Sequence, residues 1–354
     1  MDNNTGDHGV ANRRIRVLES FAPPHDRTNP YSVLLFDSIA QQVDAEYFTW
    51  RRALRHDYDV LHLHWPEVKV RGTSPLRSVI RSVAFVAVLL RIRLTGRALV
   101  RTLHDAAPHE RPTFWQRRII QLSERWTTLW ITLTPSVQPP APAPLRVIPH
   151  GHYRDWFAPS NGADSIRGRI LHFGQLRPYK GTVALIEAFM ALPDRQLSLR
   201  VVGSAPDDEL RATLVELCAR DDRVELLARY VPDDELRGEI LASELVVLPY
   251  LNITNSGSLL LALSLDRPVL AAGAPAIREV AAKVGPGWVQ VFNGRLDSDT
   301  LDAALTTLRR EPPAGRPDLT ERDWTVVGAA HVEVFAAAIR LVPRRGGRLP
   351  PNAT

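Results

Sequence analysis

The chain has 354 residues, of which 45% are hydrophobic and 23% charged, with a formal net charge of +5. This apolar content excludes a disordered or fibrous chain, and at about 100–200 residues per domain the length predicts two domains. The basic excess is almost all arginine, since Lys69, Lys180 and Lys283 are the only lysines, and the arginines are scattered. No helix-turn-helix, zinc-finger or RNA-binding motif accompanies them, which argues against a nucleic-acid partner and leaves phosphate handling as the use for forked guanidinium groups. Cys218 is the single cysteine, so no disulfide can form within the chain. The start, MDNNTGDHGVANRR, has no apolar core of a signal peptide, and the run Val83–Leu90 is far short of the ~20 residues that span a bilayer. These features predict a cytoplasmic protein.

Short apolar runs predict buried strands at Ile15–Leu18, Val60–Leu63 and Ala98–Leu103, with a helix over Arg77–Arg93 between the last two. The same alternation recurs downstream. Strands are expected at Leu145–Ile148, Arg169–Phe173, Leu197–Val202, Val224–Leu227, Leu245–Leu248 and Pro268–Ala271, and helices at Gly181–Leu192, Asp207–Arg220, Asp233–Ala242, Ser256–Ser264 and Ala276–Val284. Strands alternating with helices of this length build parallel sheets of the doubly wound α/β type. Five prolines within 135–144 cannot sit in a helix or a central strand and predict a semi-rigid linker. The expected organisation is an N-terminal Rossmann-like domain over 1–140 and a C-terminal one over 145–322. A helix over 323–342 is expected to cross back to the first domain, and a Pro/Gly/Arg-rich tail over 343–354 to be disordered.

Parallel open sheets take ligands at the carboxyl ends of their strands. The first such place is Asn29-Pro30-Tyr31, after the first strand, where Asn29 and Tyr31 are candidate site residues. Asp57-Tyr58-Asp59 precedes its strand and so reads as a solvated turn. His62-Leu63-His64-Trp65 ends the second predicted strand, with both histidines on one face. His64 and Trp65 are assigned to the acceptor vicinity and His62 to the core. A zinc site needs at least three ligands, and no cysteine–histidine spacing supports one, so no metal is expected.

The segment Ser74–Gly96 carries Arg77, Arg81, Arg91 and Arg93 around an apolar middle. It fits equally a helix lying on an anionic membrane and a packing helix with charged ends. After the strand Ala98–Leu103 come His104, Asp105, His109 and Glu110, two histidines and two carboxylates in seven residues. Proton transfer needs such groups. Asp105 or His104 is the expected base, with His109 and Glu110 near the acceptor; the plainer alternative is a surface loop in which Asp105 caps a turn.

Two motifs in the second series point to a diphosphate. Phe173-Gly174-Gln175-Leu176-Arg177-Pro178-Tyr179-Lys180-Gly181 follows a strand and opens a helix, with Gly174 permitting close backbone approach and Arg177 and Lys180 supplying charge. The stretch Pro249-Tyr250-Leu251-Asn252-Ile253-Thr254-Asn255-Ser256-Gly257-Ser258 follows another strand and opens a second helix. No carboxylate lies between Glu244 and Asp266, so the N–H groups and hydroxyls around Asn255, Ser256, Gly257 and Ser258 suit an anion. Plain capping of a buried helix would need only one of them. Tyr250 and Thr254 fall in the nucleotide or sugar vicinity.

Together these motifs resemble the GT-B glycosyltransferases, particularly the large family 4 type, whose second domain carries G-R-L-x-x-x-K-G and then E-G-F-G-x-x-x-x-E-A-x-x-x-G-x-P-V. Gly174, Leu176, Lys180, Gly181, Ala262 and Pro268-Val269 match, and Pro149-His150-Gly151 looks like the family's first segment past the linker, placing His150 near the nucleotide or sugar. Gln175 stands at the motif's arginine, with Arg177 as the substitute cation, and both glutamates of the spaced pair are missing, Leu261 standing at the second. Thr-Asn-Ser-Gly in this loop looks more like bacterial exopolysaccharide enzymes, including inverting β-mannosyltransferases. The resemblance implies two domains facing across a cleft, a nucleoside-diphosphate sugar such as GDP-mannose or a UDP-sugar as donor, a glycan or lipid-linked acceptor, and no metal or other cofactor. The place of Asn29 and Tyr31 faces the acceptor in such proteins, and a lipid-linked acceptor would favour the membrane reading of Ser74–Gly96, with a peripheral place on the inner face of the membrane. A non-catalytic nucleotide- or sugar-binding protein would share the phosphate loops but needs no base.

Overall fold

In this computed structural model the described residues are 13–25, 28–104, 112–157, 165–250 and 257–342. Contacts divide the chain into two compact units, one running to Pro149 and resuming at Trp324, the other His150–Asp323.

The first unit holds a parallel sheet whose strands are β1 (Arg16–Glu19), β2 (Asp44–Tyr47), β3 (Val60–Leu63), β4 (Ala98–Leu103), β5 (Leu129–Thr132) and β6 (Leu145–Val147). Their order is β2-β1-β3-β4-β5-β6. The order reverses between β1 and β3, and such a switch point opens a crevice at the carboxyl ends of the two strands. Strands β3, β4 and β5 are buried along their whole length, which requires helices on both faces and accounts for the apolar runs Val60-Leu61, Ala98-Leu99-Val100 and Leu129-Trp130-Ile131 that open them. Helix Pro75–Thr95 starts on the Ser74 cap, with Pro75 in its first turn, and ends on left-handed Gly96 (φ 64°). It buries Phe85, Val88, Leu89 and Ile92, each worth roughly 1.5–3 kcal/mol. Helix Trp324–Leu341 is apolar and 18 residues long, and it buries Val327, His331, Val334, Phe335 and Ala338 within this unit. Its Gly328 allows close packing, since a Cβ there would meet Ser38 at 2.9 Å.

Two expectations fail here. Leu145–Val147 does not open the second series but pairs with β5 as the edge strand of the first sheet. The proline-rich stretch before it is no free linker, because Val137 and Ala141 pack against Leu103 and Trp130. Proline lacks an N–H and cannot enter a central strand, yet it can lie along an edge and bury apolar neighbours.

The second unit has β7 (Arg169–Phe173), β8 (Ser198–Val202), β9 (Val224–Leu227), β10 (Leu245–Leu248), β11 (Val269–Ala272) and β12 (Val289–Phe292), all parallel, in the order β12-β11-β10-β7-β8-β9. This is the Rossmann order, and its switch point lies between β7 and β10. Helices Thr182–Met190, Asp208–Cys218, Asp233–Ala242, Gly257–Ser264 and Pro275–Lys283 fall within two residues of expectation at each end. Leu185, Ile186 and Phe189 bury one helix against β8, and Asp207 caps the next by accepting from Leu210 N–H. Strands β2, β5 and β12 and helix Ser298–Arg310 went unread in the sequence, β2 because its alternating Asp44-Ala45-Glu46-Tyr47 carries almost no apolar signal.

Candidate functional site

Both switch points carry the residues singled out by sequence. In the second unit, β7 ends in Phe173 and the chain turns at Gly174 with φ 107°, a conformation closed to most side chains. A Cβ on Gly174 would meet Lys180 Nζ at 3.1 Å and Ser258 Oγ at 3.4 Å, so an ammonium and a hydroxyl converge over a bare backbone. Gly203 approaches from β8 so closely that its Cβ would fall 1.9 Å from the Gly174 carbonyl. Lys180 closes the short helical turn Pro178–Lys180, and Gly181 after it (φ 68°) passes against the Pro249 carbonyl. The Lys180 ammonium donates to the Tyr250 hydroxyl at 3.4 Å and lies 4.8 Å over its ring. Burial, then the charge of Arg177, lowers the Lys180 pKa from its ordinary value. Arg177 is steadied by its Nε donating to Gln175 Oε1 at 3.2 Å, so the residue at the motif's arginine position holds the guanidinium two residues on.

Helix Gly257–Ser264 starts beside this loop, and Ser258 hydrogen-bonds Tyr250, whose hydroxyl is nonetheless pushed up to about 12 by burial. Thr254, Asn255 and Ser256 lie outside the described residues. His150 reaches the same helix start through Tyr153: Nδ1–H donates to the Gly151 carbonyl at 2.7 Å, Nε2 accepts from the Tyr153 hydroxyl at 3.4 Å, and a Cβ on Gly257 would lie 3.2 Å from that hydroxyl. Burial takes His150 down to about 4, so it is neutral near pH 7. Tyr153 had no signal in the sequence beyond its place after the Pro-His-Gly segment. At the carboxyl ends of β10 to β12 a cavity of about 240 Å³ is lined by Tyr250, Gly273, Phe292, Asn293 and Arg295 among others.

In the first unit, the ends of β1, β3 and β4 bring together Glu19, His62, His64, Thr102 and His104. His62 Nδ1 donates to Glu19 Oε1 at 2.9 Å and its Nε2 accepts from Thr102 Oγ1 at 2.8 Å. His64 Nε2 donates to Glu19 Oε2 at 3.2 Å, and its Nδ1 accepts from His104 Nε2 at 2.9 Å. Burial, then His62, His104 and His331, hold His64 well below the ordinary histidine value, so it stays neutral. Aromatic groups enclose the end of this chain. Trp65 stacks on His104 with ring centroids 4.4 Å apart, and Tyr31 meets His104 edge-on at 5.0 Å. Asn29 accepts from Tyr31 N–H at 3.1 Å and so caps helix Pro30–Ala40. Asn29, Tyr31, His64, Trp65 and His104 therefore form one cluster, while Asp105, His109 and Glu110 lie outside the described residues. Glu19 was missed because one acidic residue closing an apolar strand looks like any strand end. Asp57 and Asp59 sit at the other end of β3, where they pair with Arg13, Arg16 and Arg97.

Solved structures share this architecture. HepE of Anabaena, crystallised with UDP and glucose, superposes with a TM-score of 0.59 at 17% identity, over 93% of this chain and 97% of its own. The sucrose-phosphate synthase of Thermosynechococcus elongatus gives 0.61 at 15% identity over 93% and 97%. The fold is GT-B. Residues 167–309 match the model of the glycosyl transferases group 1 family. Two GDP-mannose:glycolipid 4-beta-D-mannosyltransferases of Xanthomonas campestris pv. campestris are each 41% identical over 328 residues, covering 92% of this chain and 93% of the relative. The chain belongs to the group 1 glycosyltransferases and is a hexosyltransferase.

Proposed function

We propose that this enzyme moves a hexose, mannose from GDP-mannose in the first instance, onto the hydroxyl of a lipid-linked glycan, with inversion and without metal. The convergence of Lys180 Nζ and Ser258 Oγ over Gly174, at the switch point of β7 and β10, carries the donor side. A diphosphate there meets one ammonium, the Arg177 guanidinium and hydroxyl and N–H donors at a helix start. The adjoining cavity at Tyr250 and Asn293 has room for a nucleobase. The mannosyl donor and glycolipid acceptor follow the names of the Xanthomonas relatives.

Transfer needs one proton removed. The acceptor oxygen gives its proton to the base, its electron pair forms the bond to the anomeric carbon, and the bond to the diphosphate breaks with its pair on the departing oxygen. Lys180, Arg177 and the Gly257–Ser258 amides stabilise that charge, the work a metal performs in other folds. His104 is the proposed base, with Asp105 beside it in sequence. The Glu19–His64 chain holds the His104 ring through its Nε2 and so orients the proposed base.

A lipid-linked acceptor requires a membrane face. Helix Pro75–Thr95 turns Leu76, Ile80, Val83, Leu90 and Leu94 outward at helical spacing, opposite the side it buries, and Phe114 and Trp115 are also exposed. No Asp or Glu occurs from residue 68 to 104. An apolar stripe flanked by Arg77 and Arg93 without acidic residues suits an anionic bilayer surface. A panel of GDP-, UDP- and dTDP-sugars scored by thermal shift tests the donor assignment, since a ligand of the folded state raises stability with concentration. A shift with UDP- or dTDP-sugars and none with GDP-mannose overturns it.

A further inference from the structure

Glu19, His62 and His64 hold a relationship that goes beyond the Glu19–His64 chain at His104. Each offers one ligand atom, and these three atoms lie within 4.8 Å of one another. The two edges that run to the carboxylate are 2.9 and 3.2 Å, close to the ~3.3 Å edge of a tetrahedron with zinc–ligand bonds of about 2.0–2.1 Å. All three side chains are buried. Among the described residues, the ion pairs of Glu19 are with His62 and His64 only, so a buried carboxylate has imidazoles about it and no arginine or lysine. A buried charge left without a counter-charge is costly.

The outer contacts are those of a ligand set. A metal-binding histidine presents one nitrogen to the ion and ties the other to a polar neighbour that fixes its ring. His62 turns Nδ1 to the carboxylate and holds Thr102 with Nε2; His64 turns Nε2 to it and holds His104 with Nδ1. Beside them stands His331, fully buried, its ring 5.5 Å from that of His62. Its Nδ1–H donates to the Val327 carbonyl, and its Nε2 has no hydrogen-bond partner among the described residues.

We propose that Glu19, His62 and His64 bind one zinc-class divalent ion, tying β1 to β3 at the switch point of the first sheet. Two imidazoles and a carboxylate suit zinc or cobalt rather than magnesium or calcium, which take oxygen ligands. In that arrangement His62 Nδ1 and His64 Nε2 face the ion, and the opposite nitrogens face Thr102 and His104. The ion takes no part in transfer: with the hydrogen on His64 Nδ1, His104 Nε2 must accept it, so the metal-bound state and His104 acting as base exclude one another.

The untagged full-length chain, produced in medium supplemented with zinc or with cobalt, should carry about one equivalent of the ion after desalting, with a fourth, non-protein donor such as water completing the tetrahedron. The cobalt form should show the visible absorption of a tetrahedral centre. Glu19→Gln and His64→Ala should each cut the metal content at least about tenfold, while His56→Ala on the surface leaves it unchanged. Folded wild-type protein with no stoichiometric metal and no cobalt absorption overturns the proposal, as does metal content that persists in Glu19→Gln. The cobalt spectrum is read on the wild-type chain, so the test holds even if a variant fails to fold.

Discussion

Lys180 stands where a side chain on Gly174 would have to go: a Cβ built on that glycine lies 3.1 Å from the lysine ammonium. The space kept open is thus bounded by a cation and made possible by a positive φ of 107°. Lys180→Ala should lower kcat/KM by about 10²–10³, the usual cost of one preorganised donor at developing charge. A change within about twofold, roughly 0.4 kcal/mol, removes Lys180 from the donor site. Gly203→Ala tests the backbone beneath. Its Cβ would overlap the Gly174 carbonyl, and at φ 144° the new residue is strained as well, so stability should fall by several kcal/mol, on the order of a severe core substitution, in a denaturant melt.

Turnover should continue in excess EDTA. In the proposed mechanism Lys180, Arg177 and the amides of helix Gly257–Ser264 supply the positive charge that a metal ion would otherwise provide. Loss of activity on chelation, restored by Mg²⁺ or Mn²⁺, would refute the metal-free mechanism. Removal of an ion from Glu19, His62 and His64 should change stability and leave turnover in place.

The product's anomeric configuration should be opposite to the donor's, read by NMR. Leu261 and its neighbours Leu260 and Ala262 offer no carboxylate on the donor side. His104→Ala should lose about 10²–10⁴ in rate, the worth of a positioned general base. Asp105→Asn, made separately, decides between the two adjacent candidates. Two variants near wild-type rate, or retention, sink the assignment.

Stability should rise with pH above neutrality. Burial takes Lys69 from 10.5 down to about 7, while its ammonium lies 3.8 Å from the Phe48 ring, a contact that favours the charged form and partly opposes the burial. Between about 7 and 10.5 the unfolded chain binds this proton and the folded chain does not, so unfolding free energy increases with pH, at most by about 1.4 kcal/mol per unit. Urea melts at two alkaline pH values check the slope. Lys69→Met should stabilise the protein at pH 8 and flatten the slope; an unchanged slope excludes Lys69 as its source.

Replacing Leu76, Ile80 and Val83 together by serine should weaken binding to vesicles containing anionic lipid by about tenfold or more. The three are 70%, 57% and 65% exposed, so the thermal midpoint should hardly move. Equal co-sedimentation of variant and wild type would show that this face does not meet the membrane.

The sequence by itself determined the parallel α/β architecture, because buried parallel strands are dominated by apolar residues, and β3, β4, β7, β8 and β10 read so, with a few polar residues such as His62, Arg101 and His172 among them. It also fixed the donor loop, since Gly174, Lys180 and Gly181 are neighbours in the chain and their geometry is local. Tertiary structure decided what depends on strand order. Glu19, His62 and His104 are far apart in sequence and meet only because β1, β3 and β4 lie side by side. The proline-rich stretch looked like a linker because proline's local restriction is visible in sequence, whereas the packing of Val137 and Ala141 on Trp130 is not. Leu145–Val147 joined the first sheet for the same reason: a three-residue strand carries no mark of its partner, and only the free edge of β5 assigned it one.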